Sequence, residues 1–258
     1  MKPQLTYYGG KQKLASRIVD MIPKHRIYCE PFFGGGAVFF AKERSSIEVI
    51  NDTNGELVNF YKMVKTNFKK LEKEIRSTLH SHLLHSNARA IYHNPHLFDE
   101  VKRAWAVWVL ANQSFISRLD GPWSFSVKQK SNSSKNTNKK NAFTTEYASR
   151  LENVQVECDD ALKVIATRDT KETFFYLDPP YYNANCANYR GYSKQNFENL
   201  LQVLSKIQGK FLLSSYPSEL IDKYILQNKW HTQKMDMALC VSISGRRKTE
   251  VLTANYMI

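Results

Sequence analysis

The chain has 258 residues, of which 42% are hydrophobic and 12% aromatic, a composition typical of a globular protein and not of a disordered one. Lysine and arginine outnumber aspartate and glutamate by 37 to 24, which gives a formal net charge of +13. This surplus indicates a polyanion or an anionic surface as partner, and nucleic acid fits better than a membrane. No stretch approaches the ~20 apolar residues of a membrane span, and the first residues lack the apolar run of a signal peptide, so we expect a cytoplasmic protein.

The first 66 residues alternate between helix and strand patterns. Residues 11–23 place apolar side chains at helical spacing, and residues 26–31 are predicted to form a strand. A glycine turn at residues 32–36 follows and leads into a helix, which is a typical order for ligand binding. A second strand at residues 46–50 precedes another helical pattern around residues 57–64. The sequence therefore begins as an α/β domain.

Residues 67–145 differ in character, because strand patterns give way to long helical ones. Within them, residues 128–141 (KQKSNSSKNTNKKN) form a polar tract that contains five lysines and no acidic residue. Such a tract cannot build a core, so we expect a mobile loop there in the absence of a partner. The whole segment is predicted to be a helical, basic insertion.

The α/β pattern resumes over residues 146–258, which are predicted to complete the domain begun by residues 1–66. Its predicted elements are strands at 154–158, 173–177 and 210–215 and helices at 161–166 and 194–207. The last apolar runs, 238–243 and 249–256, are joined by a basic segment and predict a β-hairpin.

The most informative motif, Asp178-Pro179-Pro180-Tyr181, comes directly after the predicted strand 173–177. The two prolines fix φ at about −65° and lack N–H groups, so the turn is stiff and its carbonyl groups can accept hydrogen bonds. Open α/β sheets bind ligands at the carboxyl ends of their strands. A carboxylate and an aromatic ring placed there suit a planar base that carries an amino group. The alternative is an ordinary strand-to-loop turn.

The glycine turn and Asp52 together predict a nucleoside pocket. Glycines such as Gly34 and Gly36 let the backbone approach a ligand closely, and Asp52 ends the next strand, where a carboxylate can accept ribose hydroxyls. The turn is not G-x-G-x-x-G, which disfavours a dinucleotide cofactor. Asp159 or Asp160, after the third strand, can accept a bond from an adenine amino group; the alternative is a helix N-cap.

Four motifs in order resemble those of the Dam-type, or α-group, DNA adenine methyltransferases. Residues 7–11 (YYGGK) resemble the family's aromatic-x-Gly-Gly-Lys motif, and residues 30–38 (EPFFGGGAV) resemble its cofactor loop. Residues 51–54 (NDTN) resemble the ribose-binding motif, and residues 178–181 (DPPY) match the catalytic tetrapeptide. The resemblance implies a Rossmann-like, mostly parallel sheet with an antiparallel hairpin at its C-terminal edge and a helical target-recognition insertion.

The resemblance also implies S-adenosylmethionine as methyl donor, double-stranded DNA as substrate and no metal. Asp178, Pro179 and Tyr181 are the expected catalytic residues: the first two accept the amino protons of a flipped adenine, and the third stacks on its ring. The expected cofactor-binding residues are Tyr7, Lys11, Phe32, Gly34, Gly36, Asp52, Asp159, Asp160 and Asp178.

The chain departs from the family in the insertion. GATC-specific members carry an Asn-Gly-Leu-x-Arg segment, which residues 112–119 match poorly, so no recognition sequence is assigned. The basic residues expected to contact DNA are Arg118, Lys128, Lys130, Lys135, Lys139, Lys140, Arg246 and Arg247. The alternative for this set is a solvated surface. A cognate restriction endonuclease acting separately is a possible partner.

Three other functions stay open from the residues. Related enzymes that methylate the cytosine amino group use a similar corner, usually with serine in the place of Asp178. The chain could instead be a DNA-binding module without catalysis, which the intact Lys11, Asp52 and Asp178 disfavour. A methyltransferase of proteins or small molecules would leave the charge of +13 unexplained.

Overall fold

The computed structural model describes residues 1–127, 132–183, 192–238 and 247–258, with the backbone alone for 236–238 and 247–248. The strands within these ranges are β1 Ile27–Glu30, β2 Ile47–Asn51, β3 Val154–Glu157, β4 Thr173–Leu177, β5 Lys210–Ser215, β6 His231–Ala238 and β7 Arg247–Ala254. The α-helices are α1 Ala15–Asp20, α2 Ala37–Ala41, α3 Gly55–Thr66, α4 Phe68–Ser77, α5 His82–His93, α6 Glu100–Gln113, α7 Asn132–Asn141, α8 Glu146–Leu151, α9 Ala161–Arg168, α10 Lys194–Leu204 and α11 Glu219–Asn228. Among the described helices, none has the length and hydropathy needed to cross a membrane.

The strands form one sheet in the order β3-β2-β1-β4-β5-β7-β6. The pairs β1–β2, β1–β4 and β4–β5 are parallel, and β7 pairs antiparallel with both β5 and β6. The predicted mostly parallel sheet with a C-terminal antiparallel hairpin is thereby confirmed. Because β1 has β2 on one side and β4 on the other, the strand order reverses between β1 and β4. Open α/β sheets bind ligands outside the carboxyl ends of strands at such a point.

Two compact units can be separated within the chain. The first comprises Met1–Asp20, Gly34–Glu43 and Asp52–Cys158 and contains α1 to α8 and β3. The second comprises Met21–Phe33, Arg44–Asn51 and Asp159–Ile258 and contains the other six strands and α9 to α11.

In the second unit, one face of the sheet is covered by an apolar core. Strand β4 is buried along its whole length. Its side chains Phe175 and Leu177, with Phe211 and Leu213 of β5, belong to a buried cluster that includes residues of α10 and α11. Helix α10 begins at a capping box in which Ser193 and Asn196 bond each other's backbone N–H groups. Burial of these large side chains fixes the carboxyl ends of β4 and β5.

In the first unit, helix α6 forms the centre of the helical packing. Residues 104–111 are all buried, as expected for a helix that is apolar on every side. Asp99 caps its N-terminus by accepting the N–H groups of Val101 and Lys102. The helix contacts α3, α4 and α5, and all of them lie between β2 and β3 in the sequence.

Helix α7 differs from the prediction, because a mobile loop was expected over residues 128–141 and Asn132–Asn141 is helical. The ammonium group of Lys139 donates to the carbonyl oxygens of Pro3 at 2.7 Å and Gln4 at 3.2 Å, and that of Lys140 donates to Thr78 O at 2.9 Å. Burial lowers the pKa of Lys139 to about 8. Composition alone does not reveal these partners, which lie far away in the sequence.

The C-terminal hairpin also differs in its bounds. The predicted strands were 238–243 and 249–256. Residues 239–243 lie outside the described residues, β6 spans His231–Ala238 and β7 spans Arg247–Ala254. The sequence His231–Ala238 is rich in polar residues, and among the described strands β6 is an edge strand that pairs with β7 alone. Helix α11 was not predicted at all.

A buried histidine fixes the loop that follows α6. Two backbone hydrogen bonds close this loop: Phe115 N donates to Pro122 O at 2.7 Å, and Ser124 N donates to Gln113 O at 2.8 Å. His85 of α5 is 1% exposed, and its Nε2 lies 2.8 Å from Ser114 Oγ. Burial, and next the charge of Arg89, lowers the pKa of His85 to about 4.

We therefore expect His85 to make the stability of the first unit depend on pH. In the unfolded chain His85 binds a proton near its ordinary pKa of 6.5, whereas in the folded protein its pKa is about 4. The contribution of His85 to stability is therefore complete above pH 6.5 and is lost as the pH falls toward 4. Between about pH 7.5 and about pH 5 the His85 contribution amounts to up to about 2 kcal/mol. Urea unfolding followed by tryptophan fluorescence measures the free energy of unfolding at each pH. Between about pH 7.5 and about pH 5, this free energy should fall less for His85→Gln than for the wild type. Equal losses in both proteins would contradict this assignment.

Candidate active site

The glycine turn of the first unit is held by the Asp52 carboxylate. Its Oδ2 accepts from Gly34 N and its Oδ1 accepts from Asn54 N, both at 2.9 Å. Gly34 and Gly36 have φ of 49° and 65°, a left-handed conformation that glycine adopts without strain. The Tyr61 hydroxyl donates to Gly34 O at 2.8 Å. The structure thus brings the Asp52 carboxylate against the backbone of the turn that contains Gly34 and Gly36.

Close packing against Tyr7 is a second reason for glycine in this turn. A Cβ on Gly34 would lie 3.1 Å from the Tyr7 ring, and one on Gly35 would lie 3.0 Å from Tyr7 Cβ and 3.1 Å from Leu5 O. Any larger residue at Gly35 would push against backbone as well as side chain. The turn and Tyr7 are thus fitted to each other, although more than 20 residues separate them in the sequence.

The segment before Tyr7 is fixed by α6. Asn112 Oδ1 accepts from Thr6 N at 3.3 Å and from Thr6 Oγ1 at 3.1 Å, and its Nδ2 donates to Gln4 O at 3.2 Å. Lys11 is buried and donates to Gly9 O at 3.1 Å. The aromatic-x-Gly-Gly-Lys motif therefore has a defined conformation within the first unit.

Burial dominates the electrostatics of this region. It raises the pKa of Asp52, while the N–H groups of Asn54 and Gly34 act in the opposite direction. The pKa of Tyr7 is raised by burial first and then by the charge of Asp52. Each Asp52 oxygen has two lone pairs and uses one of them for a backbone N–H, so further hydroxyl donors can be accepted.

In the second unit, Asn51 ties together the chain after β1 and the loop before α9. Its Nδ2 donates to Pro31 O at 2.9 Å and to Asp159 O at 3.0 Å, and its Oδ1 accepts from Asp159 N at 2.9 Å. The sequence motif contains Asn51, but its role was not predicted. A buried asparagine at the end of an apolar strand was the available signal, because a buried amide requires partners.

Asp159 and Asp160 are exposed and have different local roles. Asp160 caps α9 by accepting from Leu162 N at 2.9 Å and Lys163 N at 3.3 Å, which is the N-cap alternative left open by the sequence. Asp159 accepts from Asp160 N at 2.7 Å, and this bond is the main reason that the pKa of Asp159 is lowered. Phe32 is half-buried and meets the ring of Tyr192 edge-on, with centroids 6.4 Å apart.

The Asp-Pro-Pro-Tyr turn begins at the carboxyl end of β4 with Asp178, which is half-buried. The Tyr181 hydroxyl lies 3.0 Å from Asp178 Oδ1 and 3.1 Å from Ser214 Oγ, and it also bonds the carboxylate of Glu250. Tyr181 is buried, and its ring contacts Tyr216 edge-on with centroids 4.3 Å apart. Burial, and then the charges of the two carboxylates, raises the pKa of Tyr181. Ser214 and Glu250 were not predicted, although a glutamate inside the apolar run of β7 was a signal.

The basic residues that were predicted to contact DNA differ in their surroundings. Arg118 pairs with both oxygens of Asp120, at 3.0 Å and 2.7 Å. Lys135 is exposed on α7, whereas Lys139 and Lys140 donate to carbonyl groups within the first unit. The predicted contacts at Lys128, Lys130 and Arg246 lie outside the described residues, as does the side chain of Arg247.

Comparison with known proteins identifies this set of motifs. Residues 7–239 match the family model of the D12 class N6 adenine-specific DNA methyltransferases. The Type II methyltransferase M.MjaIII of Methanocaldococcus jannaschii is 27% identical over 99% of each chain. The Type II methyltransferase M1.LlaDCHI of Lactococcus lactis subsp. cremoris is 25% identical, over 99% of this chain and 96% of the relative. The DNA adenine methylase of Escherichia coli strain K12 is 22% identical, over 98% and 94% respectively.

These similarities confirm the predicted family and decide between the functions that the sequence left open. The matching model is specific for adenine and not for cytosine, and the relatives are named as methyltransferases or methylases and not as binding modules. The chain belongs to the D12 class N6 adenine-specific DNA methyltransferases, and it is an enzyme that methylates adenine in DNA.

Proposed function

We propose that Asp178, Pro179 and Tyr181 are the catalytic residues of this methyltransferase. The observation that carries the proposal is the half-buried Asp178 carboxylate at the carboxyl end of β4, adjoined by a tyrosine whose hydroxyl is itself fixed. The Asp178 carboxylate and the Pro179 carbonyl each accept one hydrogen bond from the adenine amino group. Tyr181 contributes its ring as a stacking surface.

The chemistry requires acceptors of this kind. The lone pair of an adenine amino group is delocalised into the ring, which makes the nitrogen a poor nucleophile. Two acceptors that bind the amino protons favour a tetrahedral nitrogen with a localised lone pair, and their fixed positions lower the cost of reaching the transition state. The amino proton that is lost on methylation passes toward the Asp178 carboxylate. No covalent bond between protein and base is required.

Family membership implies S-adenosylmethionine as methyl donor, and when bound it supplies an electrophilic methyl group on a sulfonium. The Asp52 carboxylate fits the ribose hydroxyls, because it retains acceptor capacity beside a turn that lacks side chains. Tyr7, Lys11, Gly34 and Gly36 are the other proposed binding residues of the first unit. Those of the second unit are Phe32, Asp159, Asp160 and Asp178.

The substrate is DNA, and we propose that it is double-stranded and that the target adenine is flipped out of the helix. Flipping costs a few kcal/mol, and stacking on Tyr181 recovers ~1–3 kcal/mol. We further propose that residues 67–145 form the target-recognition insertion, between the α/β segments 1–66 and 146–258. Two relatives are named Type II methyltransferases, so a cognate endonuclease that acts separately is also proposed.

The proposed DNA contacts within the described residues are Arg118 and Lys135. We propose no DNA contact for Lys139 and Lys140, because their ammonium groups donate to carbonyl groups inside the first unit. Lys128, Lys130, Arg246 and Arg247 remain in it.

The Asp178→Ala variant tests the catalytic assignment. We expect methyl transfer to fall by about a thousandfold or more, because one of two preorganised acceptors is lost. The affinity for duplex DNA should persist. A tritiated-methyl transfer assay together with a DNA-binding titration measures both, and near-normal turnover would refute the assignment.

Asp52→Asn tests the proposed ribose site. The amide has one acceptor oxygen in place of two and no charge, so we expect the Kd for S-adenosylmethionine to rise about tenfold or more by calorimetry. Asp99→Asn is the matched control, since Asp99 also accepts two backbone N–H groups in the first unit but caps α6. It should leave the Kd unchanged. A similar Kd for Asp52→Asn and the wild type would argue against the site.

Two lysines of α7 allow a paired test of DNA contact. For Lys135→Gln, the slope of log affinity against log salt should fall by up to about 0.9, because one phosphate contact is lost. Lys139→Gln should leave that slope unchanged and lower the melting temperature, since it removes bonds to Pro3 and Gln4. Fluorescence anisotropy with a labelled duplex measures the slope. The reverse pattern would mean that the assignment of the two lysines is wrong.

A further inference from the structure

A buried layer of polar side chains lies on one face of the sheet in the second unit. Register places Tyr28 opposite Phe174 and Ser214 opposite Leu252, and Glu250 stands two residues before Leu252 on β7. Side chains two residues apart on a strand share a face. The buried polar members of this face include Tyr28, Glu30, Glu48, Tyr176, Ser214 and Glu250, each at most 5% exposed.

Glu250 bonds two hydroxyl groups at the end of this layer. The Ser214 hydroxyl donates to Glu250 Oε1 at 2.5 Å, and the Tyr181 hydroxyl bonds the same oxygen. A carboxylate that is 5% exposed is costly to bury without such donors. Both donors reach it from outside its own strand, Ser214 from β5 and Tyr181 from the loop after β4.

The Tyr181 hydroxyl has one hydrogen and two carboxylates within reach. Asp178 Oδ1 lies 3.0 Å from it, and the contact with Glu250 is the shorter of the two. A hydrogen bond donated to Asp178 would occupy one lone pair of its carboxylate oxygens. It would thereby weaken this carboxylate as an acceptor for other donors. A hydrogen bond donated to Glu250 does not compete for a lone pair of Asp178. The strength of Asp178 as a hydrogen-bond acceptor therefore depends on which carboxylate the Tyr181 hydroxyl donates to.

We propose that Glu250 is a positioning residue for methyl transfer: it accepts the hydrogen bond of the Tyr181 hydroxyl and so keeps the Asp178 carboxylate available to the adenine amino group. This inference rests on the proposed catalytic role of Asp178. Glu250 does not touch the substrate. It acts through Tyr181, whose ring it also holds in place.

The first test compares Glu250→Gln with the wild type in single-turnover methyl transfer. The amide oxygen is a weaker acceptor, so the Tyr181 hydrogen turns to Asp178, and we expect the rate to fall about tenfold or more. The Kd values for S-adenosylmethionine and duplex DNA should change less than about threefold, because no binding group is removed. Thr253→Val is the control: Thr253 is a buried residue of the same strand whose hydroxyl has no partner among the described residues, and its substitution should keep the wild-type rate.

A double-mutant cycle with Tyr181→Phe distinguishes this role from a merely structural one. Without the hydroxyl, Glu250 has no hydrogen to withdraw from Asp178, so adding Glu250→Gln should change the rate less than about threefold. If the two effects multiply fully, the proposal is overturned. Should Glu250→Gln fail to bind S-adenosylmethionine, Glu250→Asp replaces it, because the shorter carboxylate withdraws from Tyr181 and should give the same rate loss.

The outcomes also separate this inference from the proposed function. An active wild type with an inactive Asp178→Ala and a fully active Glu250→Gln would overturn the role of Glu250 alone. Full activity of Asp178→Ala would overturn the catalytic assignment itself.

Discussion

The proposed catalysis depends on the Asp178 carboxylate, because a half-buried acceptor must remain an acceptor until the base arrives. Burial of a carboxylate is costly, and surrounding hydroxyl groups reduce the cost but compete for its lone pairs. We propose that the second unit resolves this conflict with a second carboxylate. Glu250 collects the hydrogens of Ser214 and Tyr181, while Asp178 stands at the carboxyl end of β4. The sheet supplies the rigidity, since β4 is buried throughout its length.

The first unit uses a related arrangement for a different purpose. Asp52 is a half-buried carboxylate like Asp178, but its donors are backbone N–H groups, and these fix the glycine turn against Tyr7. Both sites combine an aspartate after a strand with a side chain or turn that the aspartate holds in place. In both, hydrogen bonds inside the protein position a carboxylate that we propose to bind a ligand.

The sequence was sufficient for strands β1 to β5 and for the residues of local motifs. Strand β4 was predicted at its observed bounds, because an apolar run of five residues ends abruptly at two prolines. Helix α7 was not predicted, since the partners of Lys139 are carbonyl groups more than 130 residues away. Glu250 was missed for the same reason: its meaning depends on the pairing of β5 with β7, which brings Ser214 beside it. Contacts across strands and between distant segments are not encoded in any local pattern.

The most direct test of the central claim is a crystal structure of the enzyme with duplex DNA and an unreactive analogue of S-adenosylmethionine. We predict an adenine outside the helix, with its amino nitrogen within hydrogen-bond distance of an Asp178 carboxylate oxygen and of the Pro179 carbonyl. The Tyr181 hydroxyl should still donate to Glu250. An adenine whose amino group is bound by other residues, with Asp178 directed elsewhere, would contradict the account.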